Sequence, residues 1–115
     1  MEVTETIFSK IINREIAADI VYEDDICLAF HDISPQAPVH ILLIPKKPIP
    51  GMSAVTPEDS NILAHTLLMV PKITTILGIN DNFRLVTNNG ELACQTVFHL
   101  HFHILGGRSF SWPPG

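Results

Sequence analysis

Several residue types that mark common protein classes are scarce in this sequence. Cysteine occurs only at Cys27 and Cys94, and this pair gives neither a disulfide framework nor a metal-binding spacing, which is typical of proteins from a reducing compartment. The longest apolar run, VHILLIP, is too short to span a bilayer. The segment MEVTETIFSK lacks the basic and apolar regions of a secretory signal. We therefore expect a cytoplasmic or nuclear protein that does not bind membranes.

Basic residues are also scarce. Lysine and arginine together number 7 against 12 aspartates and glutamates, which gives a formal net charge of −5 and a pI near 5.5. A net negative chain is repelled by nucleic acids, so we expect no nucleic-acid partner. The 46% apolar and 17% charged content is ordinary for a globular chain, and 115 residues suffice for one domain but not for two. We predict one domain over residues 1–115, with a C-terminal tail over residues 106–115.

The spacing of apolar residues predicts an order of helix, three strands, helix and two strands. Short links between the strands favour an antiparallel five-stranded sheet, and we expect the two helices to cover one face of it, which makes an α+β fold. Such a sheet leaves at least one long edge, which a partner subunit often buries. The predicted elements are a helix over residues 6–15, strands over 20–24, 26–33 and 39–45, a helix from 57 to the glycine at 78, and strands over 82–88 and 98–107.

The second predicted helix carries recognisable start and stop signals. Thr56 is a favourable N-cap, and Pro57 suits the first helical position because it has no N–H to leave unpaired. Gly78 is a suitable C-terminal cap, since glycine adopts positive φ at little cost. Pro71 lies inside the segment, and we expect the helix to bend or break there.

The segment FHLHFHILGG, residues 98–107, is the most unusual stretch of the chain. His99, His101 and His103 alternate with apolar residues, which is the period of a β-strand. One face of this strand is then apolar and turned to the core, whereas the other carries three imidazoles. Packing alone does not select such a row, because each buried imidazole needs a polar partner and neighbouring imidazoles disfavour one another's protonation.

Two kinds of site explain the row of histidines. In the first, a His-x-His pair on a strand binds zinc, with His40 as a further ligand. In the second, a neutral imidazole attacks phosphorus and its neighbours donate hydrogen bonds to the phosphate oxygens. Asn88 and Thr96 flank the strand with short hydrogen-bonding side chains that suit a phosphate, and Glu91 is the only carboxylate nearby in sequence. Spacing alone leaves both interpretations open.

The motif also resembles a known family. The run from His99 to Leu105 matches the His-φ-His-φ-His-φ-φ signature (φ apolar) of the histidine triad (HIT) superfamily. Three blocks, FHDISPQAPVHILLIPKK, QTVFHLHFHILGGR and the terminal WPPG, resemble its Hint branch, the histidine triad nucleotide-binding proteins, and the similarity covers nearly the whole chain. This resemblance implies a homodimer whose two sheets join into one of ten strands. It also implies a purine nucleoside phosphoramidase that hydrolyses adenosine 5′-phosphoramidates and aminoacyl adenylates to AMP through a nucleotidyl-histidine, without cofactor or metal.

The resemblance assigns catalytic roles by position. His101 is the expected nucleophile, and His103 is expected to contact the phosphate. His99 orients the central imidazole through its backbone carbonyl and side chain, and His40 is the fourth histidine of the site. Thr96 is expected to bind phosphate and to pass a proton to the leaving amine.

The resemblance also assigns binding residues. Asp32 is expected to hold the ribose hydroxyls, and Trp112 lies in a tail that reaches the partner's site and influences the choice of leaving group. The remaining nucleotide-binding residues form an apolar slot for the purine and a polar edge for the phosphate. The slot is Ile7, Phe8, Ile11, Phe30 and Ile33, and the polar edge is Asn88, Gln95, Thr96, His101 and His103.

The chain departs from the family pattern in the loop before the histidines. Ala93 and Cys94 stand where glycines are expected, so both are strained if the loop needs positive φ, and Thr96 replaces a serine. Two alternatives to the phosphoramidase therefore remain open, a nucleotide-binding module with weak catalysis and a dinucleoside polyphosphate hydrolase of the Fhit type. The second has proline before its first histidine, where this chain has Phe98.

Overall fold

Three α-helices and five strands form the regular structure of residues 5–115, the part of the chain that the computed structural model describes. All neighbouring strands are antiparallel and follow the order β1-β2-β3-β5-β4, so the predicted five-stranded α+β fold is confirmed. Across the described residues no helix has the length and apolar character that crossing a bilayer requires. The helices are α1 (Ile7–Ile12), α2 (Ser60–Leu68) and α3 (Val70–Ile76), and the strands are β1 (Ile20–Glu23), β2 (Cys27–His31), β3 (Val39–Pro45), β4 (Phe83–Val86) and β5 (Phe102–Gly106).

Helix α1 begins with a reciprocal cap. The Oγ1 of Thr6 accepts the N–H of Phe8 at 3.1 Å, and the Oγ of Ser9 accepts the N–H of Thr6 at 2.7 Å. The helix ends at Ile12 rather than at residue 15 as predicted, because Arg14 adopts a left-handed φ of 64° that no helix accommodates.

The second predicted helix is two helices. Pro71 cannot donate to the carbonyl of Leu67, and accordingly α2 ends at Leu68 and Pro71 lies in the first turn of α3. The predicted break is thus confirmed. The C-terminal signal is also correct, since Gly78 has a φ of 73° and donates to the carbonyl of Thr75 at 3.1 Å.

The sheet is covered on both faces, so the expectation that the helices share one face is wrong. Cys27 and Ala29 of β2 belong to a core cluster with Val70 and Ile73 of α3, whereas the intervening Leu28 and Phe30 pack with Phe8 and Ile11 of α1. The physical reason lies in β2 and β3, which are apolar at consecutive positions rather than at alternate ones. Strands of this kind need a cover on each face.

Strand β5 starts at Phe102, four residues later than predicted. The preceding segment does not pair with β3, because the carbonyl of Pro45 on that strand accepts a side-chain hydrogen bond instead of a backbone one. Its donor is the imidazole Nε2–H of His99, at 2.7 Å. The N–H of Leu100 donates to the carbonyl of Ile49 at 2.6 Å. The alternation of faces nonetheless persists, since Leu100, Phe102 and Ile104 belong to the same core cluster. The histidines therefore lie opposite that core, as the alternation predicts.

Candidate active site

A cleft of about 480 Å³ opens between α1 and the sheet, a volume suited to a small organic ligand. A larger and more open depression, of about 850 Å³, lies between Gly78 and Phe110 but contains none of the histidines. Chemistry rather than volume therefore singles out the smaller cleft. Of the predicted site residues, those that line it are Ile7, Phe8, Ile11, Phe30, Asp32, Ile33, Thr96, His101 and His103.

His101 is held as a neutral imidazole with one nitrogen free. Its Nδ1 lies 2.7 Å from the carbonyl oxygen of His99, and because a carbonyl only accepts, Nδ1 carries the proton. The lone pair is then on Nε2. Burial lowers the pKa of His101, which keeps the ring neutral near pH 7. An unprotonated Nε2 in a cleft has the electronic form that nucleophilic attack requires.

His99 anchors the backbone on which this carbonyl sits. Its ring is 1% exposed, and its Nε2–H donates to Pro45. The edge of Phe8 packs against both rings, with centroids 6.0 Å from His99 and 5.0 Å from His101. The hydroxyl of Thr87 also donates to the carbonyl of His101 at 2.8 Å. The backbone around His101 is therefore held from several sides.

A chain of hydrogen bonds fixes the proton on His103. The backbone N–H of Gln36 donates to Nδ1 of His40 at 2.9 Å, so the proton of neutral His40 lies on Nε2. That Nε2 is 2.9 Å from Nδ1 of His103. His103 therefore accepts at Nδ1 and keeps its own proton on Nε2. Its pKa is lowered to about 4, chiefly by burial and then by His101 and His40.

Asp32 follows β2 at the mouth of the cleft. Its Oδ1 accepts the N–H of Ser34 at 2.7 Å, and its Oδ2 lies 3.4 Å from Nε2 of His40. The side chain is 17% exposed, so one carboxylate oxygen retains capacity for a further donor. Such a carboxylate can accept hydroxyl groups of a ligand.

The apolar residues divide into a wall and a rim. Phe8, Ile11 and Phe30 are buried, and the rings of Phe8 and Phe30 meet edge to face at 5.6 Å. Ile7 and Ile33 lie at the rim, and Ile33 is 95% exposed. The wall offers a flat apolar ligand a rigid surface.

Five predicted site residues lie outside the cleft lining, namely His40 and His99, described above, and Asn88, Gln95 and Trp112. Gln95 is buried with its amide fully used: Oε1 accepts the N–H of Gly90 at 2.8 Å, and Nε2 donates to the carbonyls of Pro50 and Val97. It shapes the loop and has no group free for a phosphate. Asn88 is half-buried, and Trp112 is 82% exposed.

The loop before the histidines contains the strain that the sequence indicates, but at one residue only. Cys94 has a φ of 72°, whereas Ala93 ends a 3-10 turn over Glu91–Ala93 and has no positive φ. A left-handed conformation costs a non-glycine residue roughly 1–2 kcal/mol. Gly90, with a φ of 94°, takes the other positive-φ position of this loop.

The structure adds residues that line the cleft or support its histidines and that sequence reasoning missed. Leu42 lies two residues after His40 on β3, and strand alternation could have found it. Thr87, which holds the carbonyl of His101, had no sequence signal because it acts across two elements. His31 also lines the cleft, with a half-exposed ring. The other unpredicted lining residues are Ile16, Ala17, Ala18, Asp19 and Val97.

Comparisons with known proteins identify the family of the chain. An uncharacterised HIT-like protein of Synechocystis is 68% identical over 111 residues, which is 96% of this chain and 97% of that protein. The crystal structure of a HIT family hydrolase from Legionella pneumophila superposes with a TM-score of 0.93 at 45% identity, covering 96% of this chain and 100% of that one. A HIT family hydrolase from Clostridium thermocellum gives 0.90 at 41% identity, with 96% of each chain covered. Residues 13–110 match the HIT domain, and the chain therefore belongs to the HIT family.

Proposed function

We propose that this chain is a purine nucleoside phosphoramidase of the Hint branch, a hydrolase that converts adenosine 5′-phosphoramidates and aminoacyl adenylates to AMP. The observation that carries the proposal is the pair His101 and His103. One presents an unprotonated Nε2 and the other an Nε2–H, their ring centroids lie 5.1 Å apart, and both line the cleft. The solved structures named as HIT family hydrolases support hydrolysis as the reaction class.

The first step forms a bond between Nε2 of His101 and the α-phosphorus as the P–N bond to the amine breaks. The Nδ1–H of the resulting imidazolium donates to the carbonyl of His99, which stabilises the new positive charge. The Nε2–H of His103 donates to a phosphate oxygen as negative charge develops there. The leaving amine gains a proton from solvent through the hydroxyl of Thr96, which lines the cleft.

The second step hydrolyses the nucleotidyl-histidine. Water forms a bond to phosphorus and loses a proton to solvent, the bond from phosphorus to Nε2 breaks, and the lone pair returns to His101 as AMP leaves. Throughout, the purine lies against the wall of Phe8, Ile11 and Phe30, and Asp32 accepts the ribose hydroxyls. No cofactor takes part in either step.

We also propose a homodimer joined through β4. The β1 edge is blunted by charge, because Glu23 is paired with both Arg14 and Lys46. The β4 edge instead exposes Phe83 and Leu85, at 37% and 41%. Pairing two β4 strands covers these residues and makes a ten-stranded sheet. The tail with the exposed Trp112 is then free to reach the partner's cleft.

A metal site is the competing interpretation of the same cleft. Donor atoms of Asp32, His40 and His103 lie within 4.8 Å of one another, close enough to share an ion. A nucleophilic mechanism predicts that removing metal leaves the rate of hydrolysis unchanged, whereas a metal-dependent hydrolase loses activity when its ion is removed.

Steady-state hydrolysis of an adenosine 5′-phosphoramidate with a reporter amine tests the proposal. We expect turnover that is unaffected by a chelator and lost in His101→Ala, while His65→Gln, on the opposite face of the sheet, keeps the wild-type rate. Activity that disappears with the chelator would support the metal site instead. A wild type that binds AMP without turnover would be a binding module.

A further inference from the structure

Three side chains from different elements meet on the sheet face opposite the cleft. Asp24 lies in the turn between β1 and β2, Cys27 begins β2, and His65 is on α2. One donor atom from each lies within 4.8 Å of the other two. The cluster has no part in the proposed hydrolysis, because Cys27 packs in the core cluster on the far side of the sheet from Phe8 and Phe30.

The carboxylate of Asp24 is held from behind and faces the other groups. Its Oδ1 accepts the backbone N–H groups of Ile26 at 2.8 Å and of Cys27 at 2.9 Å. Its Oδ2 is 2.6 Å from Nε2 of His65 and 2.7 Å from the hydroxyl of Tyr22, and the Sγ of Cys27 lies 3.7 Å away. The orientation of the carboxylate is therefore set by the main chain before any ligand arrives, which is the arrangement that supports metal ligands.

The donor set is that of a borderline-soft divalent ion. Zinc takes thiolate, imidazole and carboxylate ligands in tetrahedral sites at bond lengths of about 2.0–2.3 Å, which separates adjacent donor atoms by roughly 3.3–3.8 Å. The distance from Oδ2 of Asp24 to Sγ of Cys27, 3.7 Å, already meets this. The imidazole of His65 has to withdraw from Oδ2 by on the order of 1 Å. Its partly exposed position on α2 allows this movement.

The cluster also has a closed end and an open end. Cys27 is fully buried, so its sulfur is shielded from solvent. The side chains of Asp24 and His65 are 24% and 31% exposed, which gives an ion a path inward. A site with one buried soft ligand and two accessible hard or borderline ligands can load from solvent and then retain its ion.

We propose that Asp24, Cys27 and His65 bind a divalent transition metal ion of the zinc type, with water as the fourth ligand. On binding, the S–H bond of Cys27 breaks, its proton passes to solvent and a metal–sulfur bond forms. His65 moves its proton from Nε2 to Nδ1 and ligates through Nε2, and Asp24 ligates through Oδ2 as a carboxylate. The hydroxyl of Tyr22 remains a hydrogen-bond donor to Asp24. The ion thereby ties the β1–β2 turn to α2.

Titration of the full-length protein with Co²⁺ as the probe tests this site, because thiolate coordination gives a charge-transfer absorption that oxygen and nitrogen ligands do not. We expect one equivalent of Co²⁺ to produce this absorption in the wild type. Cys27→Ser and His65→Gln should abolish or strongly weaken it, whereas the matched control Cys94→Ser should retain it. The variant His103→Asn should also retain it, which separates this cluster from the donor atoms of Asp32, His40 and His103.

Thermal unfolding gives an independent readout that does not rely on the thiolate band. An ion bound only by the folded state at 100 times its Kd raises the Tm of a domain of this size by on the order of 10 °C. We expect Zn²⁺ to produce such a rise in the wild type and in Cys94→Ser, but not in His65→Gln. Circular dichroism of the metal-free variants establishes that each is folded.

Two results would overturn the site. One is a wild type that shows neither a thiolate band nor a Tm rise. The other is a band that survives Cys27→Ser and is lost in Cys94→Ser. Neither result bears on hydrolysis, because the cluster lies outside the cleft.

Discussion

His40 and His103 are joined by a 2.9 Å contact between Nε2 of the first and Nδ1 of the second. Since the main-chain N–H of Gln36 occupies the other nitrogen of His40, the direction of this hydrogen bond is determined by the backbone. His103 is thereby left with its proton on Nε2, the nitrogen not engaged by His40. The backbone amide of Gln36 thus sets, through His40, which nitrogen of His103 carries the proton.

Replacing His40 with Asn should impair this arrangement without removing either imidazole that faces the ligand. We expect kcat to fall roughly 100-fold with little change in KM, because a misplaced catalytic group costs about that much even when binding is intact. Steady-state kinetics separates the two parameters. A rise in KM at constant kcat would contradict a positioning role for His40.

Acid should reduce stability through the histidines. The pKa of His103 is lowered from 6.5 to about 4. Between these two pH values the unfolded chain binds a proton at this residue and the folded chain does not. The stability contributed by the neutral ring is complete above pH 6.5 and is lost as the pH falls toward 4. Carboxylates such as Asp59, whose pKa is lowered from 3.8, also lose their contribution to stability, but at lower pH. Urea unfolding between pH 7 and 5 should show a steeper decline in the wild type than in His103→Asn.

Activity should also fall in acid, because it requires a neutral histidine. Burial lowers the pKa of His101, so its nucleophilic form persists below the ordinary histidine value of 6.5. We expect the acid limb of kcat/KM, measured for the free enzyme, to have its midpoint below that value. A midpoint above 6.5 would contradict a lowered pKa for the neutral histidine that the reaction requires.

The strain at Cys94 predicts opposite effects for two glycine substitutions in one loop. Cys94→Gly removes a left-handed φ of 72° from a side chain that disfavours it, and we expect the free energy of unfolding to rise by up to about 1 kcal/mol. Ala93→Gly, at an ordinary φ, should lower it by about 0.5–1 kcal/mol. Equilibrium unfolding in urea compares them. Equal effects of the two changes would contradict the assignment of strain to Cys94.

Asp32 should discriminate ribose from its deoxy analogue. We expect Asp32→Asn to raise KM about 10-fold for the adenosine substrate, because a charged acceptor is replaced by a neutral one. The same change should have little effect on a 2′,3′-dideoxy substrate, which offers no hydroxyl to accept. The cycle of two enzymes and two substrates isolates the contact. An equal KM change for both substrates would contradict a contact between Asp32 and the ribose hydroxyls.

The edge of β4 should control assembly. Leu85→Glu puts a charge among the exposed apolar residues of this edge and is expected to convert a dimer into a monomer, since an unpaired buried charge is costly. Ile20→Glu, at the edge of β1 and of similar exposure, is the matched control and should remain dimeric. Light scattering after size-exclusion chromatography measures the mass. A monomeric wild type would contradict the proposed dimer.

The sequence predicted elements best where local chemistry decides them. Strand β3 spans Val39–Pro45 as predicted, because a proline ends it, and Gly78 caps α3 as its φ requires. The sequence predicted elements less well where a distant group competes for a hydrogen bond. The alternation around His99 indicates a paired strand, but the imidazole of His99 binds the carbonyl of Pro45 that a paired strand would use. Gln95 was likewise expected at the phosphate, because the hydrogen bonds that its amide makes to Gly90 and Pro50 have no sequence signal.

The cleft was predictable in its chemistry more than in its boundaries. The apolar wall around Phe8 and the position of Asp32 follow from the resemblance, and both line the cleft. The hydrogen bonds that support the histidines do not follow from it: the hydroxyl of Thr87 donates to the carbonyl of His101, and the main-chain N–H of Gln36 donates to His40. Only the fold brings these groups together. Long-range hydrogen bonds of this kind leave no pattern in a single sequence.

The stereochemistry of hydrolysis at phosphorus tests the central claim most directly. An adenosine 5′-phosphoramidothioate of known configuration is hydrolysed in ¹⁸O-labelled water, and the configuration of the chiral product is determined. Attack by His101 followed by attack of water inverts phosphorus twice, so we predict overall retention. Overall inversion would mean that water attacks phosphorus directly, and it would contradict a nucleotidyl-histidine intermediate.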